Sequence, residues 1–393
     1  MAITHALARD ELLRAARHLA PELRREAERT ERERQLPDET VRLLSEAGIL
    51  GMRSPRRHGG TEVNSRTVFD VIAEIARGDG SAAWNTAVWS ISAWIAATFP
   101  DHVQEAVWAD PGARVCSVLS PTGTAIPTAD GVRISGRWGF VSGAEHSDWQ
   151  VLLAMGPAPD GSQWPVMALV PMSQLTVIDD WHTAGLCGTG SVTTVAEDVL
   201  VPADRVLPMM PVVAGHLASE ANADSPVYRV PLMVTGSAVF TGVAVGLARA
   251  ALDTFVERLP GRKITYTSYE RQSDAPITHL QLAEASLLVE EAEAHGVALA
   301  DLVDRKGAGR EEWSLAERAW ARAQLGRVFG LAKDAVEIVK TASGASGVYT
   351  SAPIQRIERD IQTLNLHALM HPDTTLELYG RVLLDLPPNT PYL

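Results

Sequence analysis

Apolar residues recur at helical spacing along the first part of the chain. In residues 36–50, Val41 and Leu44 lie on one face of a helix, and Gly48 follows where that helix would end. Residues 65–80 repeat the pattern, with apolar positions three and four residues apart. The pattern predicts an N-terminal helical domain over residues 1–110.

The pattern changes after Pro111, where short runs rich in β-branched residues alternate with turn residues. The runs read VCSVL, VRISGRWGFV, WQVLLAM, VMALVPM, LTVID and VTTVAEDVLVP. Their lengths, and the Gly, Pro and Asp residues between them, are typical of antiparallel strands. We therefore expect residues 111–210 to form a small β-barrel or sandwich.

Helical periodicity returns after a proline-rich connector that runs from Pro202 to Pro231, where a helix cannot persist. Beyond it, Leu325, Val328 and Ala332 follow one helix face, and no strand-like run intervenes. This predicts a C-terminal helical bundle within residues 211–393, with the connector at its start. Helical and strand segments that are separated along the chain favour an α+β fold over a doubly wound one.

Composition and charge exclude several classes of function. The 393 residues carry a formal net charge of −13, so binding to nucleic-acid phosphates or to anionic membranes is not expected. Two cysteines cannot form a disulfide framework, and the charged N-terminal stretch has no apolar signal core, which predicts a cytoplasmic protein. Two uncharged runs, one between Asp79 and Asp101 and the other between Pro231 and Arg249, contain polar and glycine residues and are interpreted as buried core helices.

Several motifs resemble the acyl-CoA dehydrogenase fold. They are LPDETVRLLSEAGILGMRSPRRHGG, IAEIARGDGSAAW, GTGSVTTVAEDVLVP and QRIERDIQ, and together they span most of the chain. Two further segments, GRWGFVSGAEHSDW and SGASGVYTSAPIQRIERDIQTLNLHALMHPDTTLELYGR, are similar to one branch of that fold. This branch comprises the oxygenase components of two-component flavin monooxygenases.

The resemblance implies a mechanism and a set of partners. It implies an enzyme that receives reduced FMN or FAD from a separate NAD(P)H flavin reductase, and that uses O2 to hydroxylate an aromatic substrate, phenolic or indolic. It also implies a homotetramer. Neither a GxGxxG motif after a strand nor a Walker loop occurs, which fits dependence on a partner reductase. N-oxidation of an amino sugar or amine, acyl-CoA dehydrogenation, and a scaffold that has lost flavin remain as alternatives.

The flavin-facing candidates follow from the same resemblance. Ser142 matches the motif serine that contacts the flavin next to the carbon that reacts with oxygen, where a hydroxyl group stabilises the protonated ring nitrogen; the alternative is a strand-ending turn. Trp138 either packs along the flavin or fills the barrel core. Thr189 and Ser191 belong to a Gly-Thr-Gly-Ser run that either approaches the flavin or forms a plain turn.

Arg271 begins a segment that resembles the one in which an arginine reaches the cofactor phosphate of a neighbouring subunit. The segment is one residue shorter than the dehydrogenase pattern and lacks its Phe-Gly, and a solvated arginine at a helix start is the alternative.

His367 is the main catalytic candidate, because the resemblance places the active-site histidine of this branch at that position. It would polarise or deprotonate a substrate hydroxyl or ring N–H; the alternative is a core histidine bound to a backbone carbonyl. His371 is expected near a helix C-terminus, ended by Pro372. No acid occurs between Asp360 and Asp373, where dehydrogenases often carry their catalytic glutamate.

The helix that follows the GDGSAAW motif differs from that of phenol-hydroxylating relatives. Ser92 stands where those relatives often have a histidine. Trp84, Trp89 and Trp94 of this helix either line an aromatic pocket or pack in the core or at a subunit interface.

Overall fold

A computed structural model describes residues 2–158 and 160–393. In that part of the chain there are eleven α-helices: α1 Ala2–Glu33, α2 Asp38–Glu46, α3 Ser65–Gly78, α4 Gly80–Ala96, α5 Asp101–Val107, α6 Met209–Val213, α7 Leu232–Arg258, α8 Pro276–Gly309, α9 Leu315–Ala342, α10 Pro353–Asn365 and α11 Pro372–Leu383. The strands are β1 Val115–Ser117, β2 Gly123–Thr128, β3 Gly131–Val141, β4 Trp149–Pro157, β5 Gln163–Pro171, β6 Thr176–Ile178, β7 Val192–Val201 and β8 Val206–Pro208.

The α+β class is confirmed, with helices first, strands in the middle and helices again at the end. The strands form one sheet in the order β6-β7-β3-β2-β4-β5-β8, with β1 also on β4. The sheet curls so that β5 comes close to β7, and it encloses a core that includes Cys116, Ile134 and Leu152. Among the described residues, the strand pairing has two ends and does not close into a continuous barrel.

The expectation of antiparallel strands was wrong for two pairs. Strands β1 and β2 both pair parallel to β4, with Val115 opposite Trp149 and Gly123 opposite Ala154. The two strands follow each other along the same edge of β4, so the chain does not reverse direction between them. The sequence pattern did not indicate strand β2, because four of its six residues are exposed and it contains a glycine and a proline.

The two long uncharged runs are helices of the protein interior, as the sequence predicts. Every residue of α4 is buried. Helix α7 is the one described helix that is long and apolar enough to cross a membrane, and 72% of its most apolar window is buried inside the fold. A Cβ atom at Gly246 would lie 2.3 Å from the carbonyl oxygen of Ala73, so this glycine lets α7 pack directly against α3.

Candidate active site

A cavity of about 510 Å³ lies between the curled sheet and the helical bundle. Its wall is formed by α4, the end of β3, the segment after β1, α7, α9 and the segment that follows α10. The lining is mainly apolar, and its aromatic members include Trp84, Phe140, Phe240 and Tyr392. Ser142 and His367, the two residues predicted to carry the chemistry, both line this cavity.

Trp84 connects the two candidates. Its indole Nε1 donates a hydrogen bond to Ser142 Oγ at 2.8 Å, and its ring centroid lies 5.5 Å from that of His367. Of the three tryptophans in α4, Trp84 is the one that lines the cavity. Trp89 and Trp94 are 1% exposed and donate to Ser147 Oγ and the Val227 carbonyl, which places both in the core.

Ser142 stands directly after β3, just beyond an irregularity in the pairing of β3 with β7. It is 5% exposed, and its Oγ lies 2.7 Å from Ser191 Oγ. Ser191 Oγ in turn lies 2.7 Å from Thr189 Oγ1. Thr189 and Ser191 are thus behind Ser142, buried at 1% and 4% exposure, and neither lines the cavity.

His367 lies in the turn after α10 and offers one nitrogen to the cavity. Its Nδ1 accepts a hydrogen bond from the backbone N–H of Leu369 at 3.2 Å. The neutral ring therefore carries its proton on Nε2, which is left as a donor. The alternative of a histidine bound to a backbone carbonyl does not describe this geometry.

Burial and a neighbouring cation keep His367 neutral. Desolvation, with the charge of Arg322 as the second cause, lowers the pKa of His367 to about 4. Arg322 is itself 4% exposed and donates to the carbonyl of Leu369 at 2.7 Å, on the same turn that holds His367.

For Trp138, the structure supports core packing and not flavin contact. The side chain is 1% exposed, its Nε1 donates to the Leu153 carbonyl at 2.8 Å, and it belongs to the core under the sheet. A Cβ atom at Gly123 or Gly136 would lie within 3 Å of its ring, so the two glycines make room for it. Trp138 faces this core because of its position in the strand, and it is absent from the cavity wall.

Phe140, two residues later, is the aromatic residue of this motif that reaches the cavity, and the sequence analysis did not single it out. It is 74% exposed, with a φ of 62° that is rare for a phenylalanine. Its ring packs edge-on against Trp181, with the centroids 5.8 Å apart. The pairing irregularity between Trp138 and Val141 turns this side chain outward, and no sequence pattern indicates such a bulge.

Arg271 lies outside the cavity wall, before α8. Its side chain is 72% exposed and pairs with Asp274 at 2.8 Å. Its proposed partner belongs to another subunit, so its role stays a prediction.

The expectation for His371 was wrong. Helix α10 already ends at Asn365, and Pro372 is the first residue of α11, so His371 precedes the N-terminus of a helix. Proline is favoured at this position because its missing N–H would be unpaired there anyway. Ser92, in the position of the expected histidine, is fully buried and bonds to Ser117 Oγ at 2.7 Å on the cavity wall.

These residues fit a flavin ring and an aromatic substrate. A volume of about 510 Å³ is within the range for small-molecule sites, and the apolar wall excludes water. Ser142 Oγ and His367 Nε2 are the two predicted polar groups on this wall, which also includes Ser117, Ser120, Ser237 and Tyr392. No Asp or Glu occurs among the described residues that line the cavity, so the carboxylate base of acyl-CoA dehydrogenation has no counterpart there.

Comparisons with known proteins agree with this geometry. Residues 8–114 match the acyl-CoA dehydrogenase N-terminal domain, and residues 238–372 match the acyl-CoA dehydrogenase C-terminal domain. The pigment production hydroxylase of Rhodococcus sp. (strain ATCC 21145) is 32% identical over 98% of this chain and 100% of its own. The oxygenase component of the FADH(2)-dependent resorcinol hydroxylase of Rhizobium sp. (strain MTP-10005) is 30% identical over 94% and 93%.

A solved structure extends the likeness to three dimensions. XiaF from Streptomyces sp., in complex with FADH2 and glycerol, superposes with a TM-score of 0.91 at 30% identity, covering 99% of this chain and 98% of that one. The chain belongs to the acyl-CoA dehydrogenase family, in its branch of oxygenase components of flavin-dependent monooxygenases.

Proposed function

We propose that this protein is the oxygenase component of a two-component monooxygenase that uses reduced flavin and O2 to hydroxylate an aromatic small molecule, phenolic or indolic. The observation that carries the proposal is that one apolar cavity brings Ser142, Trp84 and His367 together. Reduced flavin, when bound, supplies the electrons that activate O2 and allow one oxygen atom to enter the substrate.

The protein contributes binding, orientation and exclusion of water. Ser142 Oγ is placed to bond with the flavin ring, and the apolar wall keeps water from the reacting groups. His367 Nε2–H is placed to donate to a substrate hydroxyl and polarise it. Deprotonation of that hydroxyl, the other role predicted for His367, would need a free Nε2 lone pair, and the Leu369 N–H disfavours that tautomer.

The substrate class follows from the cavity wall and from the relatives. The wall presents two large aromatic rings, Trp84 and Phe240, whose centroids are 5.0 Å apart. Such a surface suits a planar aromatic ring. The relative from Rhizobium is a resorcinol hydroxylase, which supports a phenolic compound as the first class to test.

The proposal also covers the source of the reduced flavin, the domains, the cellular location and the assembly. Two-component relatives support a separate NAD(P)H flavin reductase as the source of reduced FMN or FAD. We further propose three domains, residues 1–110, 111–210 and 211–393, a cytoplasmic location and a homotetramer. Exposed apolar side chains on α8, namely Ile277, Leu280 and Leu287, support an assembly, and Arg271 would reach the flavin phosphate of a neighbouring subunit.

Transfer of labelled oxygen tests the proposed function. The protein is incubated with a flavin reductase, NADH and 18O2, and a panel of phenols and indoles is analysed by mass spectrometry. We expect one 18O atom in a hydroxylated product, and a product yield per NADH at least about tenfold lower for His367→Ala. His18→Ala, a change at an exposed histidine of α1, is the matched control with unchanged yield.

One result would reject the proposed function, and another would reject the role of His367. One is a product whose added oxygen comes from water. The other is a full product yield in the His367→Ala variant, which would reject the role of that residue.

A further inference from the structure

Four hydrogen bonds in series lead from the cavity wall into the protein. Trp84 Nε1 lies 2.8 Å from Ser142 Oγ, which lies 2.7 Å from Ser191 Oγ. Ser191 Oγ lies 2.7 Å from Thr189 Oγ1, which donates to the Leu186 carbonyl at 2.8 Å. All five residues are at most 6% exposed. We call Ser142, Ser191 and Thr189 the hydroxyl relay.

The direction of the relay is fixed at its inner end, by the carbonyl of Leu186. The indole N–H of Trp84 can only donate, and the carbonyl oxygen of Leu186 can only accept. Thr189 therefore gives its hydrogen to Leu186, and Ser191 must donate to Thr189. By the same elimination, the hydrogen of Ser142 is committed to Ser191.

Ser142 is thus left with one lone pair and no hydrogen for the cavity. It accepts from Trp84 and donates to Ser191, so a ligand in the cavity meets an acceptor. Reversal would turn the Thr189 hydroxyl away from the Leu186 carbonyl and lose that buried hydrogen bond, which is costly away from water. Hydrogen bonds in series also strengthen one another.

The backbone around the relay is held in place from three sides. The carbonyl of Thr189 accepts from Asn85 Nδ2 at 3.1 Å and from the N–H of Gly143 at 3.0 Å. The carboxyl of Asp360, on α10, accepts from the N–H of Leu186 at 2.6 Å. The carbonyl of Leu186 also accepts from Trp181 Nε1, so the final acceptor of the relay cannot rotate away.

We propose that the hydroxyl relay makes this site selective for reduced over oxidised flavin, with Ser191 and Thr189 as the positioning residues. This inference rests on the proposed function, because it takes flavin as the ligand of Ser142. The central ring nitrogen N5 bears a hydrogen in reduced flavin and a lone pair in oxidised flavin. A serine that can only accept a hydrogen bond binds the N5–H of reduced flavin and repels the N5 lone pair of oxidised flavin. Oxidised flavin would therefore not block an oxygenase that receives reduced flavin from another protein.

The test is a comparison of binding in two redox states. Dissociation constants for oxidised and for anaerobically reduced FMN and FAD are measured by fluorescence or calorimetric titration, and the ratio of oxidised to reduced is taken. In Ser191→Ala the hydrogen of Ser142 loses its acceptor and is free to turn to the cavity, where it can donate to oxidised flavin. We expect the ratio to fall at least about fivefold relative to the unmodified protein.

Matched variants at two threonines distinguish an effect of the relay's hydrogen bonds from a general destabilisation of the site. Thr189→Val removes the donor to Leu186 at nearly constant volume, frees Ser191 to donate to Ser142, and should lower the ratio as Ser191→Ala does. Thr189→Ser keeps the hydroxyl group and should restore the ratio. Thr194→Val makes the same substitution on β7, at a buried hydroxyl with no hydrogen-bond partner, and should leave the ratio unchanged.

The outcomes distinguish this inference from the proposed function. A ratio that is the same in Ser191→Ala, Thr189→Val and the unmodified protein overturns the relay inference. Equal weakening of both redox states overturns it as well, since that result indicates direct contact of these side chains with flavin. Failure of the unmodified protein to bind reduced flavin at all rejects the proposed function itself.

Discussion

At the scale of single residues, the surroundings of His367 decide which form of the imidazole a substrate meets. Its Nδ1 is held by the N–H of Leu369, and burial, together with the charge of Arg322, lowers its pKa to about 4. Between pH 5.5 and 8 the ring should stay neutral, and product yield should show no step caused by this group.

Nuclear magnetic resonance can follow this imidazole directly. Its ring-proton signal, assigned by its loss in His367→Asn, should not move between pH 5.5 and 8. Arg322→Gln keeps a donor for the carbonyl of Leu369 but removes the charge, so it should raise the pKa of His367. A signal in the unmodified protein that titrates near neutral pH would contradict this account.

The sequence predicts some of these residues and not others, for a physical reason. Ser142 and His367 stand in motifs whose spacing from their neighbours carries the resemblance, and both reach the cavity. Trp138 faces the core and Phe140 reaches the cavity because a bulge in β3 sets the direction of each aromatic ring. The direction of the hydroxyl groups in the relay depends on bonds between residues that are 58 and 49 positions apart in the sequence, which no local pattern indicates.

At the scale of elements, Asp360 joins α10 to the turn that ends the relay. Burial, with the neighbouring Asp79 carboxyl as a smaller cause, raises the pKa of Asp360 to about 7. The folded protein thus holds a proton that the unfolded chain releases near pH 4. The contribution of this group to stability is therefore present at low pH and is lost as pH rises through 4 to 7.

Asp360→Asn tests whether the ionisation of this carboxyl lowers stability as pH rises. The amide oxygen can still accept from the N–H of Leu186, and the ionisation is gone. The melting temperature of the variant minus that of the unmodified protein should be about 2–4 °C higher at pH 8 than at pH 5.5. Asp130→Asn, at an exposed hairpin turn, is the control. A relative melting temperature that does not change with pH would show that Asp360 is ionised throughout.

The order of elements along the chain was predictable, and their contacts were predictable only in part. Helical and strand periodicities are local, so the helix, strand and helix segments were correct. Gly246 allows the contact of α7 with α3, because a small residue is what a close helix contact requires. The parallel pairing of β1 and β2 with β4 depends on where the chain returns after a loop, which the hydrophobic pattern does not encode.

At the scale of the whole molecule, the central feature is a single cavity between sheet and bundle. The sheet supplies Ser142 through the end of β3, and the bundle supplies His367 through the turn after α10. Trp84, on α4, contacts both. A site built from three parts of the chain requires the complete fold, so its function cannot be assigned to any one segment.

The most direct test of the account is the fate of reduced flavin when oxygen is added in the absence of substrate and reductase. Protein loaded anaerobically with reduced flavin is mixed with oxygenated buffer, and the release of hydrogen peroxide is followed. We predict that the protein delays peroxide release relative to free reduced flavin, because the site excludes water and holds the flavin against Ser142. The delay should shorten in Ser142→Ala. Peroxide release at the rate of free flavin, in the presence of excess unmodified protein, would contradict the account.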